Sequence, residues 1–135
     1  MINLHISILP WNKGADPNFW SWFDETPKGV SAHLITDDID AGPVIGRVEF
    51  PTMRSTETLS SSYRLLKELA TSLFHLEWER WRVGDLFTLP VLGFGSYHRT
   101  TDKTKWMQKL PLGWNTPCHE VEKMGREHRE KSQQN

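Results

Sequence analysis

Residues 2–9 read as a short strand, with Ile2, Leu4, Ile6 and Ile8 alternating against Asn3, His5 and Ser7. A period of two is that of a half-buried β-strand, whose successive side chains leave opposite faces. Pro10 ends the run, because proline has no N–H to give to a sheet ladder. A strand of this kind commits the chain to a sheet with one apolar face. It also puts a carboxamide and an imidazole, two residues apart, on the other face.

The rest of the sequence supplies partners for that strand. Trp11 to Pro17 is a loop by its turn chemistry, and Asn18 to Phe23 reads as a short helix capped near Asp16 and packing on Phe19, Trp20 and Phe23. Val30 to Ile35 is expected as a second strand. The acidic loop Thr36–Gly42 follows it, and Pro43 to Phe50 is expected as a third strand with Val44, Gly46, Val48 and Phe50 on one face. Ser55 or Thr56 is the expected N-cap of a long helix, with Glu57 near the positive end of its dipole. Leu59, Tyr63, Leu66, Ala70, Leu73, Phe74, Trp78 and Trp81 keep three-and-four spacing to near Gly84. Beyond Leu86, glycine and proline break the pattern, which predicts loops, a short hairpin and an extended arm. Residues 119–135 are expected to form a charged tail, either a frayed helix or disordered.

Composition limits what such a chain does. Its 135 residues make one domain at most, and the 37% hydrophobic content is concentrated in large side chains, including seven Trp and six Phe. Sixteen basic residues against 17 acidic give a formal net charge of −1. That balance gives no argument for nucleic acid as a partner or for a basic membrane-binding patch. A single cysteine, Cys118, excludes an internal disulfide and a cysteine-held zinc cluster, and no recognisable motif gives it a role. No apolar run approaches the roughly 20 residues of a membrane helix, and no signal-peptide pattern opens the sequence. The expectation is a soluble, cytoplasmic protein.

A histidine on a strand is more often structural than catalytic, and spacing alone leaves Asn3 and His5 ambiguous. The wider pattern weighs differently. Asn3-Leu4-His5-Ile6-Ser7-Ile8-Leu9-Pro10, followed by Gly14, resembles the N-x-H-x-S-x-L-P…G signature of the folate-dependent formyltransferase family, which often has proline where Ile6 stands. Gly29-Val30-Ser31-Ala32-His33 and Thr36-Asp37-Asp38-Ile39-Asp40-Ala41-Gly42-Pro43 resemble the second signature of that family. The segment from Leu9 to Trp22, and Gly95-Ser96-Tyr97-His98-Arg99 followed by Asp102, look most like the branch that N-formylates amino sugars on nucleotide carriers.

The resemblance implies an α/β fold: a partial Rossmann-like formyltransferase domain over residues 1–118, comprising the C-terminal half of the sheet, one long helix and an irregular arm. It implies formyl transfer from 10-formyltetrahydrofolate to an amine, through a tetrahedral intermediate and without a metal. Asn3, His5 and Asp40 are then the catalytic residues. Thr36, Asp37, Ile39 and Gly42 would border the folate, with Gly42 allowing close approach of the pterin; Asp37 and Asp38 also read as a merely solvated turn. Lys13, Trp11 and His33 are candidate contacts for the amine substrate, although packing is the competing reading for Trp11 and His33. Hydrolysis of the same donor is the alternative reaction, and a truncated, non-catalytic formyltransferase-like protein is the alternative from another class. In the family, strand–helix units precede the Asn-x-His strand and form much of the donor pocket. The resemblance therefore also implies an open sheet edge, to be covered in a homodimer or by a complementing N-terminal chain.

Overall fold

The computed structural model describes residues 1–91 and 93–135. Three strands, β1 (Ile2–His5), β3 (Gly29–Leu34) and β4 (Val44–Glu49), form an antiparallel sheet in the order β1-β3-β4. A shorter parallel pair joins β2 (Lys13–Gly14) to β5 (Tyr97–His98). Four helices complete the fold: α1 (Pro17–Phe23), α2 (Leu59–Trp81), α3 (Thr104–Met107) and α4 (Cys118–Gln133). Among the described residues, no helix is long and apolar enough to cross a membrane.

The alternation of the opening strand sets the layers. Helix α2 lies over β3 and β4, and Leu66, Leu73 and Trp81 pack there on Val30, Ala32 and Ile45. Ile2, Leu4 and Ile6 join the margin of this core, only partly buried. Asn3 and His5 face the other side. The register sets Asn3 opposite His33 and His5 opposite Ser31, so four polar side chains share one face of adjoining strands. A register irregularity between Ala32 and His33 lies beside that cluster. Bulges re-aim side chains in this way.

Helix α2 begins later than the sequence suggests. Thr58, not Ser55 or Thr56, is the N-cap. Its hydroxyl accepts from the Ser61 N–H at 3.0 Å, and Ser61 Oγ accepts from the Thr58 N–H at 2.9 Å. This reciprocal box satisfies two of the orphan donors of the first turn. Asp16 is the N-cap of α1 but makes no side-chain cap bond, because its carboxylate takes Lys103 Nζ at 2.6 Å instead.

The largest departure is at the C-terminus. The expected charged tail is a 16-residue helix packed on α1. Only Met124 is apolar after Val121 until the end of the chain, so the periodicity is hard to see. The buried stripe is Cys118, Val121 and Gly125, spaced by three and four. Gly125 matters because a Cβ there would overlap the Phe23 carbonyl. Arg126 and Arg129 then clamp Glu25, and Arg129 donates to the carbonyl of Phe23. With Phe19, Trp22 and Phe23 of α1 and Trp106 of α3, this forms a second core. In place of the expected hairpin, the chain after α2 returns through residues 96–98 to pair with β2.

Candidate active site

Asp40 is the hub of the polar face. It sits in the left-handed region at φ 51°, a conformation Asp tolerates better than most residues. This turn sends its carboxylate back over the sheet. Oδ2 accepts from the Gly14 N–H at 2.9 Å and lies 3.6 Å from His5 Nδ1. Oδ1 lies 3.2 Å from His33 Nε2 and 3.5 Å from Asn3 Nδ2. Asn3 Nδ2 is also 3.2 Å from His33 Nε2. Residues from three segments, 37 positions apart at the extreme, therefore meet around one carboxylate.

The partners of His5 assign its two nitrogens distinct roles. Nε2 lies 2.7 Å from the Asn12 carbonyl, so it carries the proton and donates there. That leaves Nδ1 as the basic nitrogen, facing Asp40. Burial of His5 pushes its pKa below the ordinary histidine value; the Asn12 carbonyl and the Asp40 charge pull it back up, and His33 opposes them. The imidazole is thus held neutral, with a carboxylate ready to stabilise the cation once it forms. His33 Nδ1 donates to the Leu34 carbonyl at 3.1 Å, which leaves its Nε2 to the Asn3–Asp40 pair.

The other residues singled out from the sequence divide into near and far. Asn3, His5, His33 and Asp40 come together, with His33 turned into the cluster rather than outward. Thr36, Asp37 and Ile39 stand exposed on the loop that carries Asp40; Thr36 Oγ1 donates to the Asp38 carbonyl at 3.3 Å. Gly42 is buried, and a Cβ there would overlap the Leu34 carbonyl. It lets the loop close on β3. Lys13 belongs to β2, beside the Gly14 N–H that holds Asp40. The Trp11 ring is partly exposed, and its carbonyl accepts from Ser7 Oγ at 2.7 Å. Cys118 is buried in the second core, and burial pushes its thiol up to about 12.

Asn12 and Gly14 carry roles that residue typing did not assign. Asn12 has φ 56°, is fully buried, and gives its side-chain N–H to Thr26 Oγ1 at 2.7 Å, so its carbonyl is fixed toward His5. The only sequence signal was turn chemistry between Pro10 and Pro17, which does not say where a carbonyl points. Next to the cluster is a cleft of about 570 Å³ whose wall includes Gly14, Ile39, Tyr97, Arg99 and Thr101. His98, also on its wall, is locked by stacking on Trp20 at 3.8 Å and by Asp24 at 2.9 Å.

Known proteins resemble this chain over much of its length. The family model described as formyl transferase matches residues 1–76. The dTDP-4-amino-4,6-dideoxyglucose formyltransferase of Mycobacterium bovis is 32% identical over 72 residues, covering 53% of this chain and 30% of that protein. The structure of the formyltransferase PseJ from Anoxybacillus kamchatkensis, in complex with UDP-4,6-dideoxy-4-formamido-L-AltNAc and tetrahydrofolate, superposes with a TM-score of 0.84 at 42% identity. That match covers 89% of this chain and 63% of the other. The N-formyltransferase of Helicobacter canadensis, at 24% identity and a TM-score of 0.70, shares the fold over 76% of this chain and 38% of its own. The chain thus spans less than two thirds of each of these relatives. With more than half of its residues matched by the family model, the chain belongs to the formyl transferase family.

Proposed function

We propose that this chain carries the acid–base centre for transfer of a formyl group from 10-formyltetrahydrofolate to the amine of a nucleotide-linked amino sugar. The observation that carries the reading is the convergence of Asn3, His5 and Asp40, with the basic Nδ1 of a neutral, buried His5 3.6 Å from the Asp40 carboxylate. Family membership and the tetrahydrofolate and nucleotide sugar bound by the A. kamchatkensis relative support the substrate class.

The residues suit the steps. As the amine attacks the formyl carbon, negative charge collects on the formyl oxygen, and the Asn3 carboxamide is the donor placed to receive it. A preorganised donor of this kind is worth about 3 kcal/mol. His5 Nδ1 takes the proton the amine loses and returns it to the departing nitrogen as the carbon–nitrogen bond breaks. The proton is conserved, and the transient imidazolium faces Asp40 while its other N–H stays on Asn12. The unprotonated Nε2 of His33 accepts from the Asn3 carboxamide and orients it. The exposed residues Thr36, Asp37 and Ile39, with Gly42 at the end of their loop, are the proposed border of the pterin. Lys13, Trp11 and the cleft by Tyr97 and Arg99 belong on the acceptor side.

The test mixes the purified full chain with 10-formyltetrahydrofolate and nucleotide-linked amino sugars, following release of tetrahydrofolate. Acceptor-dependent release supports the proposal. Release at the same rate without acceptor indicates hydrolysis instead, and a folded chain that neither binds nor turns over the donor sinks it.

A further inference from the structure

The segment between β1 and β2 carries both backbone groups that reach the cluster, the Asn12 carbonyl on His5 and the Gly14 N–H on Asp40. Residues 9–12 of it are a turn, and a turn does not by itself fix where its carbonyls point. What holds this one comes from 84 positions further along the chain.

Every polar group of Ser96 bonds to the turn. Its N–H donates to the Pro10 carbonyl at 3.1 Å, and its carbonyl accepts from the Lys13 N–H at 2.9 Å. Its hydroxyl accepts from the Asn12 N–H at 2.8 Å and gives its own proton to Asn12 Oδ1, 3.3 Å away. Gly95, at φ 68°, makes this approach possible, because a Cβ there would overlap the Pro10 carbonyl.

Peptide planarity links these bonds to His5. The Asn12 carbonyl and the Lys13 N–H belong to one trans peptide and point in opposite directions. The Ser96 carbonyl takes the N–H at one end, and His5 Nε2 meets the carbonyl at the other, 2.7 Å away. The Ser96 hydroxyl holds the peptide before it. Two successive peptides are thus clamped around Asn12, which sits in the left-handed region at φ 56° with no exposed surface. Hydrogen bonds in series through one peptide also polarise one another, which makes the Asn12 carbonyl a stronger acceptor.

We infer that Ser96 is a positioning residue for the reaction proposed above: by clamping both peptides around Asn12 it aims that carbonyl at His5, keeps the His5 proton on Nε2 and leaves Nδ1 free toward Asp40. Ser96 acts through Asn12, not by touching the reacting atoms. Its effect on rate rests on the proposed function; its effect on the His5 tautomer does not.

The experiment compares the full chain with Ser96→Ala and Ser96→Thr, by ring-nitrogen NMR of isotope-labelled histidine and by steady-state formyl transfer. At about pH 8, where the ring is neutral, the unaltered chain should show His5 protonated at Nε2 alone. Ser96→Ala leaves the buried Asn12 N–H without a partner and loosens the turn. The other tautomer should then rise to at least about one-fifth. The kcat should fall about tenfold to a hundredfold, with KM for the donor within about threefold of the parent. Ser96→Thr keeps the hydroxyl and should restore the single tautomer and at least about half the rate. An unchanged tautomer in folded Ser96→Ala would overturn the inference, and so would mixed tautomers with an unchanged kcat. Equal losses in Ser96→Ala and Ser96→Thr would assign the effect to packing and overturn it as well. If Ser96→Ala unfolds, the unaltered chain decides: its Asn12 and Lys13 amides should exchange at least about a hundredfold more slowly than in an unstructured peptide, and an unprotected Asn12 amide or a mixed His5 tautomer there overturns the clamp. An unaltered chain that turns over no donor removes the proposed function, while the tautomer comparison still decides whether Ser96 positions His5.

Discussion

Replacing Asp40 by asparagine tests the centre most directly, because the side chain keeps its size and loses only its charge. The His5 Nδ1–Asp40 Oδ2 distance is 3.6 Å, and both side chains are about nine-tenths buried. At an effective dielectric constant of about 20, a full imidazolium–carboxylate attraction at that distance is about 4–5 kcal/mol. If half to all of that charge has developed in the transition state, the loss is about 2–5 kcal/mol, or roughly 30- to 5,000-fold in kcat/KM. Asparagine cannot mimic the hydrogen bonding either. With its oxygen on the Gly14 N–H, its NH2 meets the Asn3 NH2; flipped, the NH2 meets the Gly14 N–H. The assay is steady-state release of tetrahydrofolate with acceptor present, with circular dichroism as the control for folding. A second readout needs no turnover: an NMR titration of the His5 ring should move to lower pH in Asp40→Asn, since the carboxylate is one of the influences that raise it. A folded variant within about tenfold of the parent rate, or a His5 titration that stays put or moves up, would refute the reasoning.

Three further outcomes follow from the same geometry. The pKa of His5 is lowered by burial, so the unfolded chain binds its proton first as pH falls below the ordinary histidine value of 6.5; stability should decline from there until the folded state also protonates, and His5→Gln should flatten that part of a urea-midpoint profile. Parallel profiles for the two proteins would show that His5 is not the group responsible. Thr58→Ala breaks the reciprocal cap of α2 and should cost about 1–2 kcal/mol in urea unfolding with an unchanged slope; a change under about 0.3 kcal/mol would mean the cap is idle. Cys118, fully buried with its thiol raised to about 12, should resist iodoacetamide at pH 8 in the native protein and react on unfolding. Rapid stoichiometric labelling of the native chain would contradict its placement in the core.

What the sequence made legible follows the range of the interactions involved. β1, β3, β4 and α2 were readable because their periods of two and three-to-four repeat within single segments, and each repeat reports burial of one face. The start of α2 was misplaced because Ser55, Thr56 and Thr58 are all competent caps. Only the return of the chain through residues 116–118, where Leu59 N–H meets the Thr116 carbonyl, settles which one ends the loop. For residues 119–135 the sequence left a frayed helix and disorder both open, because the buried stripe of α4 is a thiol, a valine and a glycine, and a glycine used for close approach looks in sequence like a breaker. The site divides the same way. Asn3 and His5 were visible as neighbours on one strand face. The Asn12 carbonyl and the Gly14 N–H were not, because backbone groups have no letter of their own; their roles come from two left-handed residues, Asn12 and Asp40, that turn a loop and a carboxylate toward each other. Side-chain chemistry can thus be read from a motif, but the backbone that tunes it must be folded first. Here that backbone occupies Nε2 of His5 and leaves Nδ1 as its unprotonated nitrogen, a specificity that the Asn-x-His spacing alone leaves open.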